Sequence, residues 1–370
     1  RLLISQVIGD GVGVLVKSDG LFDLNGFNDS IDNLALVGGS TTQGGSTLTL
    51  LSSVLCLQIQ AGSLTAGNGG SLVLNGKVAG ITPFGAPTIT SNITLGTNVT
   101  FDIPAFSTPP QLIINGVISD GGNGFGITKV GTGTLELGGT ASNTFTGTTT
   151  VLGGVLTLNK SKNTVTLSGP VVLGNNTDPA DTAVLRDLAG VQLSNSKSLT
   201  INDSGTYDLN GFADVSGALS GTGKVVLPGD NSQLLSLLNG VDSTFGGSMS
   251  GAGGFFKAGN GTLTLTGSNT VFGIGCLDGT LALNNSGTNA CMKGDILQVG
   301  DIASLGSNPV IKFLAKDQVA DTCNLQIDKN GTLDLNGFSE VVNDATVNTG
   351  SIALGSAELK LNKLIINDST

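Results

Sequence analysis

One short pattern, Gly-x-(Leu/Phe/Tyr)-x-Leu, recurs eight times, at Gly20–Leu24, Gly70–Leu74, Gly133–Leu137, Gly154–Leu158, Gly205–Leu209, Gly261–Leu265, Gly279–Leu283 and Gly331–Leu335. Self-similarity of this kind confines a chain to repeat architectures, in which each unit buries its apolar face only by stacking on the next. Apolar and polar residues alternate within the pattern, as in a strand half buried against a core. No useful length of apolar residues at i, i+3, i+4, i+7 suggests a helix. From the third copy the starts are separated by 21, 51 and 56 residues and then by 18 and 52, so a larger unit of about 128 residues appears nearly twice. Its approximate copies are residues 111–240 and 241–370, and their shared register is visible in KVGTGTLEL (Lys129–Leu137) against KAGNGTLTL (Lys257–Leu265).

Three of the strands run on into Asp-Leu-Asn-Gly-Phe, at Asp23–Phe27, Asp208–Phe212 and Asp334–Phe338. Asn-Gly supplies the positive φ of a tight turn, so each reads as strand then turn, with the Asp facing outward and the Phe expected to return to the core. Sandwich strands recur without a shared motif, whereas a solenoid stacks like on like. The prediction is an all-β, elongated, single-chain parallel β-helix (β-solenoid) running continuously over residues 1–370, with about 20 residues per coil. Inward Leu ladders and Asn or Thr ladders at the corners should follow. Five of the nine prolines, Pro83, Pro87, Pro104, Pro109 and Pro110, lie close together. Proline cannot donate to a central ladder, so residues 76–110 are expected to be a looped-out insertion.

Composition removes whole classes of chemistry. With His 0 there is no imidazole base, no Ser-His-Asp or Cys-His pair and no His-ligated metal. A net charge of −11 gives no basic stripe for phosphates, which argues against nucleic acid and anionic membrane as partners. The longest apolar stretch, Leu48–Ile59, is broken by polar residues and is too short for the roughly 20 residues of a spanning helix, so membrane insertion is not expected. Arg1–Gln6 lacks the apolar core of a signal peptide, and the chain reads as a mature protein or an excised piece. The cysteines Cys56, Cys276, Cys291 and Cys323 are too few for a disulfide framework and have no C-x-x-C spacing. They read as small buried apolar residues. Cys276 and Cys291 form the one plausible local disulfide in an oxidising compartment, and Cys56 could pair only with another molecule.

Residues Leu112–Ser119, Lys129–Leu137, Ser142–Val151 and Gly154–Leu158, and again Lys257–Thr270 and Gly279–Leu283, resemble the autotransporter-associated β-strand repeat of large bacterial surface proteins. That resemblance implies a secreted or cell-surface bacterial protein with a right-handed parallel β-helix passenger. The repeat has no catalytic residues to carry over. The translocator barrel of such proteins is not among these 370 residues, since one Tyr and no Trp cannot build its aromatic girdles.

Site chemistry is sparse. Gly121–Ile127 aligns with a calcium-binding β-roll repeat, but Gly126 stands where the ligand Asp belongs, so a glycine-rich turn is the better reading. The recurrent acids Asp23, Asp208 and Asp334 are expected on a solvated face, spread along the solenoid rather than paired for glycoside chemistry. Sugar sites favour aromatic platforms, and with Trp 0 and Tyr 1 only Phe remains, most of which is expected to look inward. No catalytic residue, cofactor site or metal site is therefore assigned.

The expectation is a non-enzymatic extracellular fibre, stalk or filament-forming surface element, adhesive in character. Its partners would be itself, stacking head to tail by coil ends, or other coils of a longer chain, together with host or matrix glycans or proteins. A carbohydrate-active or glycan-binding β-helix is the alternative.

Overall fold

The computed structural model describes residues 1–65, 69–80, 86–106, 109–285, 287, 294–300 and 308–367. Alternation dictates its core. Every second residue of the short strands points inward, and equivalent inward residues meet on successive parallel strands. Leu112, Leu135, Leu156 and Leu185 are consecutive Cα partners and are fully buried. So are Leu263, Leu281, Ile311 and Leu333. Each such side chain contributes about 1.5–3 kcal/mol by leaving water, and it does so only because a coil lies above and below it. The described residues contain no helix, and the strands pair in parallel to form a β-solenoid.

The chain divides into two compact units, Arg1–Asp178 with Thr182–Ser194, and Pro179–Asp181 with Asn195–Thr370. In the first, a further face is built from Asp29–Ile31, Thr47–Leu50, Ser71–Leu74, Asn92–Leu95 and Ile118–Ser119. In the second, the ladder partners Leu263, Leu281, Ile311 and Leu333 stand 18, 30 and 22 residues apart. Twenty residues is thus near the lower end of a coil, and the remainder goes into connections.

Residues 76–110 differ from the expected looped-out insertion. They contain strands Lys77–Gly80, Thr88–Ile89, Asn92–Leu95 and Val99–Asp102, all paired in register with neighbouring coils. The prolines fit because they stand in connections. Pro87 precedes a strand and its carbonyl accepts from the Ile113 amide at 3.0 Å, and Pro104 follows one. Pro83 lies outside the described residues.

The three Asp-Leu-Asn-Gly-Phe segments have one geometry. Asn25, Asn210 and Asn336 have φ of 53°, 48° and 49°, and the glycines after them 83°, 91° and 84°. The Asp carboxylate accepts the Asn amide two residues on, at 2.8 Å in the first copy and 2.9 Å in the others. Phe27, Phe212 and Phe338 are half-buried rather than returned to the core. Each Phe amide bonds back to the Leu carbonyl at 2.8–2.9 Å, which closes the turn and leaves the ring at the corner.

Polar ladders complete the coils. Thr47 meets Ser71, and Thr332 meets Ser351, each at 3.0 Å. Asn362 donates to Asn343 and Asn343 to Asn324, both at 2.9 Å. Stacked amides of this kind satisfy one another's donors and acceptors along the axis.

Candidate functional site

The acids that recur in the sequence are committed to structure. Asp23, Asp208 and Asp334 each cap their own turn, and Asp334 also pairs with Lys312 at 3.4 Å. The glycine-rich segment 121–127 is organised by a residue the sequence pattern did not single out, Asp120. Its carboxylate accepts from Gly122 N, Gly124 N, Thr146 N and Thr146 Oγ1 at 2.8–3.0 Å. Burial pushes this carboxyl up, but the four hydrogen bonds outweigh it and hold the pKa at about 2. The lone pairs that a cation would need are thereby occupied from within the chain.

Lysines buried inside the coils are the second feature that sequence reasoning missed. Lys129 and Lys257 occupy the same place in the two repeat copies, and both are fully buried. Lys129 Nζ donates to the carbonyls of Val130, Gly131 and Gly153 at 2.8–3.0 Å. Lys257 Nζ donates to Gly259 and Asp278, the latter at 2.6 Å. Burial lowers the Lys129 pKa to about 8, partly offset by Asp102, and lowers that of Lys257. The cage also explains the glycine that opens Gly-x-Leu-x-Leu in the next coil. Gly154 and Gly279 have φ of 66° and 64°, and a Cβ at Gly279 would stand 2.3 Å from Lys257 Nζ. The sequence signal was present in KVGTG and KAGNG, but a lysine ahead of a glycine turn reads as solvated until the coil closes over it.

Cys56, Cys276 and Cys323 are buried, and burial raises their thiol pKa values, to about 11 for Cys276 and about 12 for Cys323. They behave as small apolar residues. Cys56 is out of reach of another molecule in this fold. The proposed partner of Cys276, Cys291, lies outside the described residues.

What remains for contact with other molecules is the outer sheet face. Each repeat copy has an open trough there, at equivalent positions. In the first copy it holds about 290 Å³ and is lined by Asn98, Gly124, Gly126, Thr128, Thr148 and Thr150. In the second it holds about 250 Å³. Register from the buried lysines aligns Thr128 with Phe256 and Thr150 with Gly275. Gln233, Gly254, Gly273 and Ile296 are successive partners across the coils of the second trough, and Phe256, Gly275 and Gln298 form the column beside them.

The family model of the passenger-associated transport repeat matches residues 127–158 and 255–273, segments that include both buried lysines and part of each trough. The chain carries autotransporter passenger repeats. It is also 28% identical over 325 residues to the adhesin BmaC autotransporter of Brucella suis biovar 1 (strain 1330). That alignment covers 86% of this chain but 8% of the relative, so the chain spans less than a tenth of its length. No solved structure matches. Such repeats belong to secreted or cell-surface bacterial proteins, and this passenger-repeat chain is a surface β-helix.

Proposed function

We propose that this passenger-repeat solenoid is a non-enzymatic adhesive element, in which a constant interior holds out an outer face whose side chains vary. The observation that carries the reading is the pair of troughs. Inside, Lys129 and Lys257 make the same cage, while outside the equivalent positions have changed from threonines to phenylalanine and glycine. The recurrent acids support it as well, because they cap turns instead of converging as a catalytic pair. The similarity to an adhesin is consistent with it.

The test is attachment of beads coated with the chain to host-cell monolayers and to matrix proteins, run beside a turnover assay on acidic polysaccharides. Saturable attachment without turnover is expected. Turnover that Asp→Asn changes abolish would replace this reading by an enzymatic one.

A further inference from the structure

We propose that the trough of the second repeat copy is a binding site for a neutral glycan chain, stacked on Phe272 and Phe256 over a floor of glycine backbone. The proposal deepens the adhesive reading by naming a ligand class, and it rests on that reading.

The first observation is where the aromatic rings point. Six of the thirteen described phenylalanines, Phe22, Phe101, Phe145, Phe245, Phe255 and Phe313, are buried. Phe272 is 54% exposed and Phe256 is half-buried on the outer face. Phe255 pairs in register with Ile274 and Leu297, which are buried, so Phe256, Gly275 and Gln298 must alternate to the other side.

The second observation is a β-bulge. Between the partners Gly251↔Val271 and Gly254↔Gly273, two residues, Ala252 and Gly253, oppose the single residue Phe272. Bulges bend a strand locally and re-aim a side chain, and they cluster next to binding sites. Here the exposed ring stands opposite the bulge.

The third is the floor. Gly254, Gly273 and Gly275 lie together on the outer face, and a Cβ at Gly275 would come within 2.6 Å of the Phe256 ring. Phe256 therefore lies down across the glycines instead of standing into water, and presents a flat apolar plate. Polar groups frame it. Gln298 Nε2 donates to Gly300 O at 3.2 Å and Asp328 Oδ2 at 3.0 Å, which fixes its carboxamide, while Asp230 and Gln233 stand exposed on the opposite side.

These parts select the occupant. A bound peptide would seek unpaired backbone at a sheet edge, but here the strands on the trough floor are paired on both sides. The trough instead offers ring faces for the apolar C–H face of a sugar, with a few fixed polar groups for its hydroxyls. The one charged residue in its lining is Asp230, and the chain carries −11, so uronic and sialic acids are repelled and neutral sugars favoured.

The test uses saturation-transfer NMR and calorimetry on the full chain with two neutral β-linked probes, cellotetraose and tetra-N-acetylchitotetraose. Saturable binding of at least one is expected, weakened at least tenfold by Phe272→Ala and unchanged by Thr128→Ala in the other trough. Phe272 is exposed, so its variant should melt with the parent, and Gln233→Ala gives a second handle with a smaller loss. No saturable binding of either probe at millimolar sugar, or binding indifferent to Phe272→Ala, overturns the assignment. Beads that attach to cells while neither sugar binds would sink the trough and leave the adhesive reading standing. Beads that do not attach while the sugar binds would do the reverse.

Discussion

The two troughs sit at the same address in the two repeat copies, with a glycine at the equivalent floor position in each, Gly126 and Gly254, and differ in the side chains around it. One is lined by Thr128, Thr148, Thr150 and Asn98, and the other by Phe256, Phe272, glycines and Gln233. Beneath both lies the same buried lysine on the same glycine turn. Interior positions are constrained from every side, because each ladder residue must match the one above and the one below. Outward positions touch few neighbours and are free to diverge. A solenoid thus separates folding from recognition within a single strand, by the alternation of its residues.

That separation can be broken from the inside first. Leu263→Asp and its counterpart Leu135→Asp each bury an unpaired charge, and each should cost several kcal/mol, about 3–5, in denaturant unfolding. Outward Thr264→Asp should stay within about 0.5 kcal/mol. Equal losses at Leu263 and Thr264 would void the assigned alternation. Next come the cages. Lys129→Met and Lys257→Met strip buried carbonyls of their donor, and both should lose about 2–3 kcal/mol of thermal stability. A large loss in one copy only would show that the interiors are less alike than their geometry.

The floors give a sharper contrast. A Cβ at Gly126 would meet the Thr148 carbonyl oxygen at 2.1 Å, whereas at Gly254 the nearest atom is the edge of the Phe256 ring at 3.1 Å. Gly126→Ala should therefore cost about 1–3 kcal/mol and Gly254→Ala under about 1 kcal/mol, because backbone cannot yield and a ring can.

In the second copy, away from its trough, Glu340 provides a pH signal. Burial raises its pKa to about 7, although the amides of Gln318, Val341 and Val319 pull the other way. A carboxyl with a raised folded pKa holds its proton more tightly in the native state. Its stabilisation is complete below about 4.5 and is lost as pH rises through about 7. The unfolding free energy should fall between pH 5 and pH 7.5, by on the order of 1–2 kcal/mol, a loss that Glu340→Gln removes.

Much of this fold is legible in the sequence. Gly154-Val155-Leu156-Thr157-Leu158 and its relatives repeat, and repetition with strict alternation leaves few architectures. The Asn-Gly turns were legible too, since positive φ at two successive residues needs those side chains. The proline-rich segment is misleading in sequence, because proline breaks a ladder only within a strand, and Pro87 and Pro104 stand between strands. The Phe of Asp-Leu-Asn-Gly-Phe misled because hydrophobicity alone does not say whether a turn closes before or after the ring reaches the core.

By itself, then, the sequence determined the all-β class, the stacking of like on like and the inward Leu ladders, because these depend on spacing along one chain. Only the tertiary structure decided that Asp120 closes the glycine loop, that Lys129 and Lys257 are interior caps, and that Phe256 and Phe272 flank a trough. Each of those depends on which residues of the next coil come alongside. That register is fixed by coil lengths which vary from 18 to 30 residues, as Leu263, Leu281 and Ile311 show, and no local pattern encodes it.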